Sequence, residues 1–134
     1  MEKIKDIRII NLDKFSDERG YLVKVIKKEY VQNELGEVYI TSTNPGNVKA
    51  NHYHRKTTEW FCVLKGKCLL LLKEAEANNR MELVLDAEKP QLVRIPPFVE
   101  HAIKNIGNEN MILFTYADRP YDPSDTIKTK LKFE

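Results

Sequence analysis

Gly46-Asn-Val-Lys-Ala-Asn-His52-Tyr-His54-Arg-Lys-Thr-Thr-Glu59-Trp-Phe-Cys-Val-Leu-Lys-Gly66 is the stretch on which the reading of this chain turns. Histidines two residues apart in an extended segment point to one face. Val48 and Ala50 precede them in the same phase, which predicts that His52 and His54 face inward. Glu59 opens the next extended run, with Phe61 and Val63 following in its own phase. Farther along, Pro96-Pro-Phe-Val-Glu-His101-Ala-Ile-Lys-Asn105 starts another strand, with His101 in phase with Ile103.

Three imidazoles and a carboxylate on inner strand faces are costly to bury without partners. A divalent metal would satisfy all four, because neutral imidazole nitrogen and carboxylate oxygen suit zinc, iron, nickel or manganese. Hydrogen bonds to carbonyls or to a substrate would satisfy the imidazoles as well. The His-x-His pair alone favours the hydrogen-bonded reading, because two ligands do not make a site.

Outward from this stretch, period two dominates. Runs from Tyr21 to Ile26, Glu37 to Thr41, Val48 to His54, Glu59 to Leu64, Lys67 to Lys73, Arg80 to Leu85, Leu92 to Ile95 and Asn110 to Tyr116 read as short strands. Turn residues part them at Gly20, Asn44-Pro-Gly46, Gly66, Asn78-Asn79, Lys89-Pro90, Pro96-Pro97 and Gly107-Asn108. Lys28 to Leu35 has room for one turn of helix, and Lys128 to Glu134 alternates as an edge strand would. Short strands at near-regular spacing without intervening helices predict an antiparallel sandwich or barrel in a single domain, residues 1–134.

The 134 residues fit one domain, and 22 basic against 20 acidic side chains leave a formal charge of only +2. That balance argues against nucleic acid or an anionic membrane as the main partner. The longest apolar run, Cys68 to Leu72, is too short to span a bilayer. Met1 to Asn11 interleaves charge with isoleucine and lacks a signal peptide's apolar core, so a cytoplasmic protein is expected. Cys62 and Cys68 are too few for a disulfide framework; they flank Gly66 across a predicted hairpin and read as small buried hydrophobes. Trp60 to Leu64 and Cys68 to Leu72 are apolar on both faces, which predicts a cover on each side, and a second subunit making a homodimer is the expected outer cover.

The spacing Gly-x5-His-x-His-x4-Glu-x6-Gly, at Gly46, His52, His54, Glu59 and Gly66, resembles the first motif of the cupin superfamily. The second cupin motif is matched at Pro96, His101 and Asn105, and departs at its two glycines, where this chain has Pro90 and Phe98. The resemblance implies an all-β fold, a cupin jelly-roll β-barrel (double-stranded β-helix), with motifs at 46–66 and 96–105 and a site in its mouth. It also implies His52, His54, Glu59 and His101 as a metal ligand set.

Asp17-Glu-Arg-Gly-Tyr21 and Phe114 to Pro123 resemble segments of dTDP-4-dehydrorhamnose 3,5-epimerases and their sugar-nucleotide ketoisomerase relatives. Asn-His-Tyr-His, Ile-Pro-Pro and Asp-Pro also resemble the C-terminal cupin domains of capsular polysaccharide reductases. These resemblances imply an isomerase, an epimerase or ketoisomerase acting on a nucleotide-linked keto-sugar in surface polysaccharide synthesis. His52 matches the epimerases' catalytic base, and Tyr116 or Tyr121 is the expected acid or sugar-contacting aromatic. Arg19 matches an arginine that contacts substrate diphosphate, and His54, which replaces the epimerases' glutamine, would bind substrate or a metal. Those epimerases need no metal, so His54 tilts this chain toward the metal-binding pattern. A metal-dependent cupin enzyme of another class, a small-sugar isomerase or oxygenase, and a non-catalytic sugar-binding module remain the alternatives.

Overall fold

The computed structural model describes residues 4–133. Met1 to Lys3 of the charge-and-isoleucine stretch and Glu134 of the alternating tail lie outside the described residues. The strands are β1 (Arg8–Asn11), β2 (Lys14–Asp17), β3 (Gly20–Val23), β4 (Glu37–Thr43), β5 (Val48–Tyr53), β6 (Glu59–Lys65), β7 (Lys67–Glu74), β8 (Arg80–Asp86), β9 (Gln91–Ile95), β10 (Val99–Asn105), β11 (Met111–Ala117) and β12 (Ile127–Lys128). A single 3-10 turn covers Pro123–Asp125. One sheet runs β1-β9-β6-β11-β4 and the other β12-β5-β10-β7-β8, while β2 and β3 pair only with each other. All the strand pairs are antiparallel. The two sheets face each other as a jelly roll.

Period two fills the space between the sheets. Phe61, Val63, Val93, Ile95, Met111 and Leu113 point in from one sheet, and Cys68, Leu70, Leu72, Val99 and Ile103 from the other. Gly66 at φ 83° lets the chain leave one sheet and enter the other, so β6 and β7 do not form the expected hairpin. β6 pairs with β9 and β11, whereas β7 pairs with β8 and β10. Cys62 and Cys68 therefore sit in different sheets, both free and buried.

The doubly apolar strands do have a cover on each side, and much of it comes from the chain itself. Trp60, Cys62, Leu92 and Tyr116 on the outer face are packed under Val31, with Leu12, Val25 and Tyr30 beside them. Leu71 and Ala102 are covered by Leu131 and Phe133 of the tail. These faces thus need no second subunit. The segment 28–35 makes only a hydrogen-bonded turn, closed by Val31 N–H donating to the Lys27 carbonyl at 3.0 Å.

One departure from regular pairing shapes the site. Opposite β10, His101 pairs with His52 but Ala102 pairs with Ala50, so Asn51 is an extra residue in β5. Ala50 and Asn51 both take left-handed backbone, φ 67° and 65°. The bulge breaks the phase between Val48 and His52, and Val48 is exposed instead of inward. The freed Asn51 side chain ties down the tail. Its Oδ1 accepts from Thr129 Oγ1 and the Leu131 N–H at 2.8 and 2.9 Å, and its Nδ2 donates to the Leu131 carbonyl at 3.1 Å.

Candidate functional site

Three strands meet in the mouth of the roll. β5 brings His52 and is followed by His54, β6 begins at Glu59, and β10 carries His101 directly beside His52. One donor atom from each lies within 4.8 Å of the other three. The rings of His52 and His101 meet edge to face at 4.8 Å between centroids, and those of His52 and His54 lie 4.9 Å apart. Phe61, in phase with Glu59 as its spacing predicts, packs edge-on beneath His101.

The protonation pattern follows from the partners. His54 Nδ1 lies 2.9 Å from the Asp125 carbonyl, and His101 Nδ1 lies 3.0 Å from the Val99 carbonyl. A carbonyl can only accept, so each Nδ1 carries a hydrogen. Each Nε2 then faces Glu59 Oε1, at 3.1 Å in both cases. His54 Nε2 makes a hydrogen bond there, while His101 Nε2 is buried, close to the oxygen and without an aligned bond. If both rings were neutral, two nitrogen lone pairs would point at one carboxylate oxygen. A positive charge must stand between them, either a shared proton or a cation.

The electrostatics agree with that geometry. Burial opposes the Glu59 carboxylate, but His101 and His54, both close to its Oε1, outweigh it and hold the carboxyl far below its usual range. Burial also opposes a charged His54, yet its bond to Glu59 outweighs this and raises its pKa. His52 has no such partner. Burial, reinforced by His101 and His54, pushes its pKa down to about 4, so it is neutral near neutral pH.

Two residues that sequence reasoning did not single out complete the site. Tyr39 of β4 donates from its hydroxyl to Glu59 Oε2 at 3.2 Å, and burial with the Glu59 charge raises its pKa. Asp125 takes four hydrogen bonds on its buried carboxylate, from the N–H groups of Arg55, Lys56 and Thr57 and from Thr57 Oγ1 at 2.7 Å. It thereby fixes the loop between the histidines and Glu59, while its own carbonyl orients His54. Tyr39 carried no signal beyond its strand, and Asp125 lies two residues past the resembling segment that ends at Pro123 and had no partner until the fold supplied one.

The other expected residues fall as follows. Tyr121 lines the cavity at its mouth and is 68% exposed. Tyr116 does not reach the cavity. It lies on the outer face of β11, stacked on Trp60 at 4.8 Å, and its hydroxyl donates to the carbonyls of Asn33 and Glu34. The β6–β11 irregularity falls between Ile112 and Leu113, so no bulge turns Tyr116 inward; buried Thr115 takes the inner position instead. Arg19 sits at the exposed β2–β3 turn, paired with Asp17, and forms no part of this cavity. Asn105 pins the turn after β10 by donating to the Thr43 and Glu109 carbonyls and accepting from Gly107 N–H.

The donor set fits a divalent ion: three imidazoles and a carboxylate converge, two rings have their outer nitrogens held by backbone carbonyls, and one inner nitrogen is orphaned. His52, His54, Glu59 and His101 would hold it.

A jelly roll with three histidines and a glutamate at its mouth defines a cupin-type protein. Within that class, residues 15–127 match the family described as the polysaccharide biosynthesis C-terminal domain, and the chain belongs to that family. It is similar to "UDP-2-acetamido-2,6-beta-L-arabino-hexul-4-ose reductase" of Pseudomonas aeruginosa, with 28% identity over 107 residues, covering 80% of this chain but only 28% of the reductase. It is also similar to "Probable low-salt glycan biosynthesis epimerase Agl13" of Haloferax volcanii, with 27% identity over all of this chain and 91% of that protein. The crystal structure of a dTDP sugar isomerase from Desulfovibrio desulfuricans superposes with a TM-score of 0.88 at 21% identity, over 95% of this chain and 85% of that one, which shows the shared fold.

Proposed function

We propose that this chain moves a proton at the carbon beside the ketone of a nucleotide-linked keto-sugar, as an epimerase or ketoisomerase in polysaccharide synthesis. The observation that carries this reading is the His52 imidazole. It lines the cavity and has no hydrogen-bond partner among the described residues, whereas His54 and His101 are tied to backbone carbonyls and Glu59. An uncommitted neutral imidazole can take a proton from the acidic C–H, leaving the electron pair on the ketone oxygen. The phenol of Tyr39 stands at the same cavity to supply a proton, with Glu59 behind it. Tyr121 would flank the sugar at the mouth, and His54 would orient it. Membership of the polysaccharide family and likeness to the archaeal epimerase support the reading. The free thiols of Cys62 and Cys68 favour the cytoplasm as its place.

A metal-dependent reaction is the second reading, favoured by the convergence of two Nε2 atoms on one oxygen. A bound ion would act as a Lewis acid on the ketone. Elemental analysis of wild type and His54→Gln, run beside nuclear magnetic resonance of a nucleotide-linked 4-keto-sugar during turnover, separates the two. The proton-transfer reading expects exchange to survive in His54→Gln. Stoichiometric metal that is lost together with activity in this variant would replace it with the second.

A second copy of the chain is the protein partner we propose. β4 is a sheet edge with Val38 and Ile40 exposed, and the β2–β3 hairpin, unsupported by any sheet, exposes Phe15, Tyr21 and Leu22. An isolated two-stranded hairpin is marginal in water. Docking of the hairpin on the other copy would support it, and would be the way for Arg19 to reach a bound diphosphate.

A further inference from the structure

The histidine cavity is too small for the ligand its chemistry calls for. It holds about 100 Å³, about the liquid volume of three waters. Pockets for whole cofactor-sized ligands run to about 300–1,000 Å³. A second hollow of about 320 Å³ adjoins it outside, and Arg119, Pro120, Tyr121 and Asp122 line both. A ligand whose reacting carbon reaches His52 must therefore extend past this strap into the outer hollow, where Lys56 is added to the wall.

Arg119 and Lys56 share that hollow with the carboxylates of Asp122 and Asp125, and Lys56 is near enough to Asp122 to favour its charged form. Asp125 spends its carboxylate on Arg55, Lys56 and Thr57, and Asp122 on the N–H and hydroxyl of Ser124. Neither the Arg119 guanidinium nor the Lys56 ammonium makes an ion pair or a side-chain hydrogen bond among the described residues. The backbone that presents Arg119 is held firmly. Asp118 accepts from Thr58 N–H at 2.9 Å and from Asn33 Nδ2 at 3.1 Å, and Gly36 packs so tightly on the Arg119 main chain that no Cβ would fit there.

We infer that Arg119 and Lys56 form an anion-binding lip that takes the phosphates of the ligand, a nucleoside diphosphate linked to the sugar. The inference rests on the proposed sugar-nucleotide chemistry and adds the residues that select it. Arg119 offers a planar fork to two phosphate oxygens, and Lys56 a mobile point charge beside it. Tyr121, between the inner and outer hollows, would mark the passage from sugar to phosphate.

Calorimetric titration of the whole chain with thymidine diphosphate, uridine diphosphate and inorganic pyrophosphate tests this. Wild type should bind at least one of the three, and Arg119→Gln with Lys56→Met should weaken that binding at least tenfold and flatten its salt dependence. Both side chains are exposed, so the variants should keep the wild-type melting temperature. Equal binding by wild type and the double variant would overturn the lip and leave the sugar-nucleotide reading standing. No binding of any of the three by wild type would overturn both.

Discussion

Phe98 stands where the second cupin motif has a glycine, and it keeps the glycine's backbone conformation at φ 64°. A side chain in that region costs about 1–2 kcal/mol. The turn survives because Phe98 N–H donates to the His54 carbonyl at 2.7 Å and its own carbonyl accepts from Ala75 at 2.9 Å. The ring is 52% exposed, in loose contact with Tyr53 6.2 Å away, so little packing offsets the strain. Phe98→Gly should therefore raise the unfolding free energy by roughly 0.5–1 kcal/mol, read as a later urea midpoint. A fall of that size would mean the Tyr53 contact matters more than the backbone. At this scale the four clustered residues were legible in the sequence, because motif spacing fixes them at strand ends. Tyr39 and Asp125 were not: one reaches Glu59 only through the β4–β11–β6 pairing, and the other comes from 66 residues beyond Glu59. The inward phase assigned to Val48 failed because the Ala50–Asn51 bulge leaves no mark on alternation.

The strands themselves were largely legible, since β-branched and aromatic residues alternate through them and turn residues separate them. Their covers were not. The segments that overlay Trp60 and Leu71 are irregular, and irregular backbone has no periodicity to read. Burial under those covers and in the core gives the two thiols a common fate: the pKa of Cys62 is pushed up to about 11 and that of Cys68 to about 12. A raised thiol pKa means little thiolate at pH 8, so neither cysteine should react with a disulfide reagent until the chain is unfolded, when both should. Rapid reaction of either in native buffer would show that its cover opens. The tail offers a second test, since the Asn51 side chain gives it three hydrogen bonds. Asn51→Ala should cost about 1–3 kcal/mol in urea unfolding and speed amide exchange at Leu131. An unchanged midpoint would show that the apolar contact with Leu71 and Ala102 suffices.

The whole molecule pairs a closed apolar core with one open, charged mouth and with apolar surfaces left bare at β4 and at the β2–β3 hairpin. Among the described residues, no helix is long and apolar enough to cross a membrane. Sedimentation should find a species of twice the chain's 15.7 kDa, and Ile40→Asp should return it to one chain. A wild-type monomer at working concentration would leave the hairpin without its proposed support. The proposed activity depends above all on proton removal beside a ketone by His52. Incubating the chain with a nucleotide-linked 4-keto-6-deoxy-hexose in deuterium oxide and following mass reads this directly. Deuterium should enter the sugar with wild type and at least a hundredfold more slowly with His52→Asn. Undiminished entry with His52→Asn would contradict this role.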